Sequence, residues 1–531
     1  MDREASLNRI FSRGADDPFD MAIIGGGATG VGAALDAASR GYSVCLFEQS
    51  DFGKGTSSRS TKLVHGGVRY LQQGNISLVM EALKERGLLR NNAPHLVHDL
   101  AFVVPNYDWW ETPFYGIGMK VYDMLAGRYG FGKSRLLSKR DVLERIPTLE
   151  QDHLRGGVLY FDGQFDDSRL LVNMGQTADE QGAALVNYAA AVAITRDVEG
   201  FVNGVVVRDL ESGREETVRA RSVVNATGAF CDAVRRMDEP DAVPMIAPSQ
   251  GVHVVLDRRF LPGDTAIMVP RTSDGRVMFA IPWHGHALLG TTDTPVKQPS
   301  LEPVPLAQEI QFILETAAQY LQTDPTPDDV LSVFAGIRPL VKVGGEVAST
   351  AALSRDHTIH ISKSGLLTIA GGKWTTYRKM AEDCVDHAAT LGKLDERPCV
   401  TRTLTIHASH RSAEQFGDLK VYGSDAGPIR QLMETSPDLG RRLHPALPIY
   451  AAQVVWAARF EMARTVDDVL ARRTRATLLN ARAAIAMAPA VAELLAAELR
   501  RDVSWQRQQV ADFTSIARNY LIPGGGPPAP S

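Results

Sequence analysis

Asp20-Met21-Ala22-Ile23-Ile24-Gly25-Gly26-Gly27-Ala28-Thr29-Gly30, continued by Val31 to Arg40, decides the fold. Asp20 to Ile24 reads as a short buried strand, Gly25 to Gly30 as a tight turn, and Val31 to Arg40 as a helix of small residues that can pack closely on its neighbours. Gly41 stops the helix, and Tyr42 to Glu48 is a second apolar strand ending in an acid, which completes a β-α-β unit within about thirty residues. The turn fits G-x-G-x-x-G. Its glycines permit close backbone approach, and the start of the helix offers free N–H groups to a pyrophosphate. Glu48 stands where a carboxylate accepts hydrogen bonds from the hydroxyls of an adenosine ribose and repels a 2′-phosphate, which disfavours NADP.

Three further segments turn a dinucleotide site into a flavin site. Gly55-Thr56-Ser57-Ser58-Arg59-Ser60-Thr61-Lys62-Leu63-Val64-His65-Gly66-Gly67 is rich in hydroxyls and ends in glycine, so it can wrap a ribityl chain and pyrophosphate; a solvated Ser/Thr loop is the other reading of this segment alone. Val223-Val224-Asn225-Ala226-Thr227-Gly228 is a buried strand whose end lacks bulk. Ile369-Ala370-Gly371-Gly372-Lys373-Trp374-Thr375-Thr376 runs from a strand through a glycine pair into a helix, whose terminus suits the polar edge of a flavin ring. The cofactor is therefore read as FAD. Its expected contacts are Gly25, Gly27, Thr29, Gly30, Glu48, Thr56, Ser57, Ser58, Thr61, Leu63, His65, Ala191, Ala226, Thr227, Gly228, Gly372, Lys373 and Thr375.

Outward from these motifs, strand signals at Gly157 to Tyr160 and Ala184 to Asn187 flank a helix from Ser168 to Gln181, as parts of one sheet assembled from separated segments. Alternation between Gln250 and Gly290 suits antiparallel strands with one covered face, a substrate domain. From Ala446 to Tyr520 the chain is dominated by Ala, Leu and Arg at helical spacing. The fold class is α/β. A Rossmann-like FAD-binding domain of the glutathione-reductase/D-amino-acid-oxidase type takes residues 17–95, 151–245 and 346–395, an antiparallel β-sheet substrate domain 96–150 and 246–345, a C-terminal α-helical domain 396–522, and a Gly/Pro-rich tail expected to be disordered 523–531. At 531 residues, 44% of them apolar, the chain has the material for several cores.

The net charge of −5 argues against a nucleic-acid partner. The four cysteines, Cys45, Cys231, Cys384 and Cys399, lie far apart without metal-ligand spacing, so no metal is expected and a reducing, cytoplasmic setting is. Met1 to Asp20 has no apolar run of the kind a secretory signal or membrane anchor needs, which leaves peripheral membrane contact.

The order of GGGATG, TSSRSTKLVHGGVRYL, VVNATG, AGIRPL, SRDHTI and GGKWTTYRKMAE resembles the FAD-dependent, aerobic, quinone-reducing glycerol-3-phosphate dehydrogenases, from about Phe19 to Asp383 with a matching helical region from roughly Thr401 to Asn519. The resemblance implies oxidation of sn-glycerol 3-phosphate to dihydroxyacetone phosphate, hydride transfer to flavin, and electrons leaving to a membrane quinone from a protein held peripherally on the inner face of the cell membrane. A phosphate dianion needs fixed cations, and Arg338, Arg355 and Arg69 with Tyr70 match family positions near the substrate; Lys373 is expected at the flavin edge, where its charge favours the anionic reduced ring, and is counted with the substrate contacts as well. An alcohol needs a base. His65 in His-Gly-Gly is the first candidate and His253 in Gln250-Gly251-Val252-His253 the second, with Arg338 beside the reacting centre. Trp109 to Leu125 mixes aromatic, aliphatic and basic residues, either as an interfacial helix or as packing against the substrate domain. Other readings stay open on the sequence: an oxidase delivering electrons to dioxygen, an amine or amino-acid oxidase, or a non-catalytic flavoprotein subunit. The helical domain is compatible with a homodimer, but no residue identifies an interface.

Overall fold

The computed structural model describes residues 1–67, 75–108, 111–342 and 356–522. Arg69, Tyr70, Arg355, Trp109, Trp110 and the tail 523–531 lie outside the described residues. Two large sheets organise the chain.

The first sheet forms around Phe19–Ile24, whose Met21, Ala22 and Ile23 have no exposed surface. It is flanked in parallel by Val44–Phe47 and Glu215–Asn225, with Ile24 opposite both Phe47 and Asn225. Ala184–Val186 and Leu367–Gly371 extend the parallel set on either side, and His357–Ile361 closes one edge antiparallel. The strand ends therefore converge on one line, where an open parallel sheet binds its ligand. The helix Ala28–Ser39 follows the glycine turn and packs on Tyr377–Leu391; a Cβ added to Gly32 would lie 3.0 Å from the Tyr377 ring, so the small-residue face is what allows the contact.

Among the described residues the second sheet has ten strands and is antiparallel except where Thr265–Val269 runs alongside Val97–Asn106. Ile246–Asp257 is its long central element, paired with Val330–Val341 on one side and His286–Gly290 on the other. The strand Gly156–Phe165 corrects the sequence-based division. It pairs along its whole length with Val97–Asn106, and so belongs to this second sheet rather than to the 151–245 piece of the first. An apolar run reports burial, not which sheet provides it. Leu447–Tyr450 is likewise a short strand, and the helical series begins at Ala451.

The C-terminal helices share a core with the second sheet, with Phe334 and Val255 in the same cluster as Leu470, Met487 and Leu495. Buried charges complete the join. Arg472 and Arg473 reach Asp51 at 2.5 and 2.6 Å, Arg169 forms a bidentate pair with Glu461, and Asp467 holds Lys54 at 2.8 Å. Glu302 accepts from Arg59 and forms an ion pair with Lys54 at 2.9 Å, so the loop leaving the second strand is gripped from two domains. Breaking one member of such a buried set costs about 3–5 kcal/mol, because the partner charge stays buried. The four cysteines are all free, and burial pushes the Cys231 and Cys384 thiols up to about 12.

Candidate active site

Two clefts, each of about 340 Å³, meet at Gly371 to Trp374. The first lies at the strand ends of the parallel sheet. Gly25, Gly27, Ala28, Thr29, Glu48, Thr56, Ser57, Ala191, Ala226, Thr227 and Gly228 line it. Gly25 has φ +111°, and a Cβ there would stand 2.7 Å from the Ala226 carbonyl oxygen. A Cβ on Gly30 would stand 1.9 Å from the Gly25 oxygen, so the turn exists only with glycine. Glu48 is half-buried; its carboxylate accepts from the N–H of Gly26 at 2.7 Å and of Ser50 at 2.8 Å, which fixes its place at the end of the second strand. A cradle of glycine, backbone N–H groups and one placed carboxylate fits a dinucleotide, and the cleft continues to Gly372 and Lys373, where it meets the second cleft.

The second cleft lies against the antiparallel sheet and is lined by Thr61, Leu63, His65, His253, Arg276, Thr291, Asp293, Arg338, Lys373 and Thr375, together with the apolar and aromatic Phe102, Tyr160, Met268 and Phe279. Arg338 projects from Val330–Val341 and lies across Gly251 of the neighbouring strand, where an added Cβ would stand 2.3 Å from the guanidinium. It donates to the Thr292 carbonyl at 2.8 Å, to Thr291 Oγ1 at 3.1 Å, and to Gln250 O and Asp293 Oδ1 at 3.3 Å. This is a rigid cation with its side chain about a quarter exposed.

His253 is buried. Its ring stacks on Phe334 and its Nε2 shares a 2.9 Å hydrogen bond with Thr61 Oγ1. Burial first, then the charges of Arg338 and Lys62, holds its pKa well below the ordinary histidine value, so the imidazole is neutral at pH 7 and able to take a proton. Lys62 itself is turned away, bonded to Asp167 at 2.7 Å and to the Ser58 carbonyl. His65 lines the same cleft. Its N–H donates to Thr375 Oγ1 at 3.2 Å, and the next N–H, of Gly66, donates to the Tyr122 hydroxyl, which donates to Asp162. Trp374 Nε1 donates to the Ser57 carbonyl and Thr56 Oγ1 to the Ile337 carbonyl, so the seam between the clefts is cross-braced.

Of the residues expected to touch the cofactor, Thr56, Gly372 and Lys373 line both clefts, whereas Thr61, Leu63, His65 and Thr375 line the second cleft and Gly30 and Ser58 line neither. Both candidate bases, Arg338 and Lys373 come together in the second cleft. The sequence reading did not single out Asp293, Thr291 or Arg276. The first two follow the strand His286–Gly290 in Gly290-Thr291-Thr292-Asp293, and Arg276 sits in the turn Thr272 to Arg276, where Asp274 pairs with it at 3.1 Å. Alternation marks such strands without marking which turn faces a cleft.

Comparison with known proteins agrees with this geometry. Residues 20–378 match the FAD dependent oxidoreductase family, and 366–509 match the C-terminal domain of alpha-glycerophosphate oxidase. A mitochondrial glycerol-3-phosphate dehydrogenase of Arabidopsis thaliana is 41% identical, over 96% of this chain and 87% of its own length, and the mitochondrial enzyme of Rattus norvegicus is 41% identical over 98% and 75%. The crystal structure of the glycerol-3-phosphate dehydrogenase from Bacillus halodurans complexed with FAD superposes with a TM-score of 0.78 at 30% identity, covering 98% of both chains. With its two clefts, its helical C-terminal domain and these full-length relatives, the chain belongs to the FAD-dependent glycerol-3-phosphate dehydrogenase family.

Proposed function

We propose that the protein oxidises sn-glycerol 3-phosphate to dihydroxyacetone phosphate and passes the electrons to a membrane quinone. The observation that carries this reading is the pairing, in one cleft that joins the cofactor cleft, of a rigid cation with a buried neutral histidine. FAD, when bound, supplies the acceptor for the hydride leaving C2. Arg338 and Lys373 hold the phosphate dianion, joined by Arg69, Tyr70 and Arg355 from outside the described residues. His253 takes the hydroxyl proton; His65 is the second candidate for that role. The dianion also relieves the repulsion that Arg338 exerts on a protonated His253, so substrate binding raises the basicity of the group that must accept the proton. Asp293 positions Arg338 and Thr61 positions His253.

No described helix is long and apolar enough to cross a membrane. Peripheral contact with the inner face of the cell membrane is the arrangement that brings a quinone to such a protein. Anaerobic titration of the flavin absorbance with glycerol 3-phosphate, followed separately by a soluble quinone and by air, tests the proposal. Bleaching followed by fast reoxidation with quinone is expected. Fast reoxidation by air with slow reoxidation by quinone would assign an oxidase, and an unbleached, FAD-loaded protein would remove the substrate assignment.

A further inference from the structure

We infer that Arg472 and Arg473 of the C-terminal domain are positioning residues for the loop 48–58, and that through them this domain sets how tightly FAD is held. The loop leaves the strand Val44–Phe47 and supplies Glu48, Lys54, Thr56 and Ser57 to the first cleft. Apart from a short 3-10 turn at Thr56–Ser58 it is irregular, yet it bears directly on the glycine turn. Gly53 donates its N–H to the Gly26 carbonyl at 3.0 Å, and Ser57 Oγ accepts from the Ala28 N–H at 2.9 Å. Asp51 stands in the middle of the loop with no exposed surface, and carries the grip. Its carboxylate accepts from Arg472 Nε at 2.5 Å, from the two Nη atoms of Arg473 at 2.6 and 2.8 Å, and from Asn187 Nδ2 at 3.3 Å. Three residues on, Lys54 is bonded to Asp467 at 2.8 Å, and Arg472 meets the same Asp467 at 2.9 Å and Asp468 at 2.7 Å. Loop and domain are thereby tied through one continuous set of buried charges.

Two features separate this set from packing that merely joins two domains. Consecutive residues of an α-helix point about 100° apart and do not face one partner. Arg472 and Arg473 reach the same carboxylate from Asp468–Arg473, a segment wound as a π-helix, which is a rare turn found mostly at functional sites. The second feature is the choice of charge. Apolar residues of similar volume stabilise a buried join as well or better, whereas directed ionic bonds fix where the joined segment lies. Burial alone would raise the pKa of Asp51; Arg473 and then Arg472 outweigh it and hold the carboxylate ionised, so the grip persists at neutral pH. Arg338 and His253 are held by other bonds, to Thr292, Thr291 and Thr61, so the grip acts on the cofactor cleft and leaves the substrate contacts alone. Apparent affinity falls with the fraction of time the loop is in place; a loop in place a tenth of the time weakens FAD about tenfold.

The dissociation constant of FAD, followed by flavin fluorescence as FAD is added back to the stripped full-length protein, tests the inference. Arg473→Met is expected to raise it at least about tenfold, and Arg473→Lys, which keeps the charge without the planar pair of donors, about threefold. With FAD saturating, KM for glycerol 3-phosphate is expected to stay within about twofold of the parent. Arg40→Met supplies the comparison: it removes a similarly buried arginine, paired with Asp36 and Asp386 at the far end of Ala28–Ser39, and is expected to lower Tm while leaving the FAD constant unchanged. A constant unchanged in folded Arg473→Met, or raised as much by Arg40→Met, would overturn the inference and leave the set as a joint between domains. Should Arg473→Met not fold, the parent decides. Linkage requires FAD to tighten the C-terminal domain in return, so amide hydrogen exchange over residues 468–474 is expected to be at least about tenfold slower with FAD bound than without. Equal exchange in the two states would overturn the inference.

Discussion

The dinucleotide cleft is made of what side chains leave out, and the substrate cleft of what they bring. In the first, Gly25 and Gly30 fold the backbone onto itself, and one carboxylate, Glu48, is fixed by two N–H groups. In the second, Arg338, His253 and the pair Thr61 and His65 arrive from three different segments and are held by carbonyls, rings and hydroxyls of their neighbours. Local backbone geometry tolerates almost no substitution. A convergent constellation loses function by steps, one side chain at a time.

The largest effect should therefore come from the smallest change. In Gly30→Ala the new methyl would stand 1.9 Å from a backbone oxygen that cannot move without opening the turn. The purified protein is expected to carry no flavin absorbance and to show no activity above background, while Gly14→Ala, which meets nothing within 4 Å, stays within about 0.5 kcal/mol of the parent. FAD bound normally to Gly30→Ala would end the argument that this cleft is a backbone device.

His253→Asn should separate the clefts. It removes the base and keeps a polar side chain of smaller volume, so kcat is expected to fall about 10²–10⁴-fold with FAD occupancy unchanged. Because His253 is neutral at pH 7 and its pKa is depressed, the acid limb of kcat/KM in the parent should lie well below pH 6.5. An unaltered kcat would pass the role to His65. The next step down is Arg338→Met, which withdraws charged hydrogen bonds of about 1.5–3 kcal/mol, so KM for glycerol 3-phosphate is expected to rise roughly 10–100-fold and kcat to change less. A fall in kcat with an unchanged KM would place Arg338 at the reacting carbon instead of at the phosphate.

The same contrast explains what could be read from the sequence. The strand, turn and helix from Phe19 to Ser39 are contiguous, and their spacing carries the chemistry, so the first cleft was legible down to Glu48. Ala191, expected as a contact without a motif of its own, lines this cleft as well. The second cleft was legible only where a motif singled out a residue, as at His253 and Arg338. Asp293 and Arg276 sit on turns whose facing depends on how ten strands of the second sheet are ordered. Gly156–Phe165 was placed in the wrong sheet for the same reason: its ten partners in Val97–Asn106 lie from 50 residues upstream (Asn106↔Gly156) to 68 (Val97↔Phe165), and no local pattern names them. The buried charges around Asp51 and Glu302 join three regions and leave no periodic trace.

The seam between the clefts carries the smallest and most specific expectation. His357 lies opposite Gly371 in the strand pair that ends at the seam, and its Nε2 meets Asp383 Oδ2 at 3.0 Å; Asp356 lies 3.3 Å from its Nδ1, and Glu81 adds negative charge nearby. The Asp383 hydrogen bond raises its pKa above the ordinary 6.5 against the opposing effect of burial, and the same contact lowers that of Asp383, which Lys379 also holds. A histidine raised in the folded state binds its proton more tightly folded than unfolded. Its stabilising contribution is then full below pH 6.5 and is lost as pH rises through the folded value. His357→Gln should lower Tm by about 1–2 °C at pH 6 and by nothing measurable at pH 9, in a chain this large. A deficit that is the same at both pH values would mean that His357 holds the seam by packing and not by its charge.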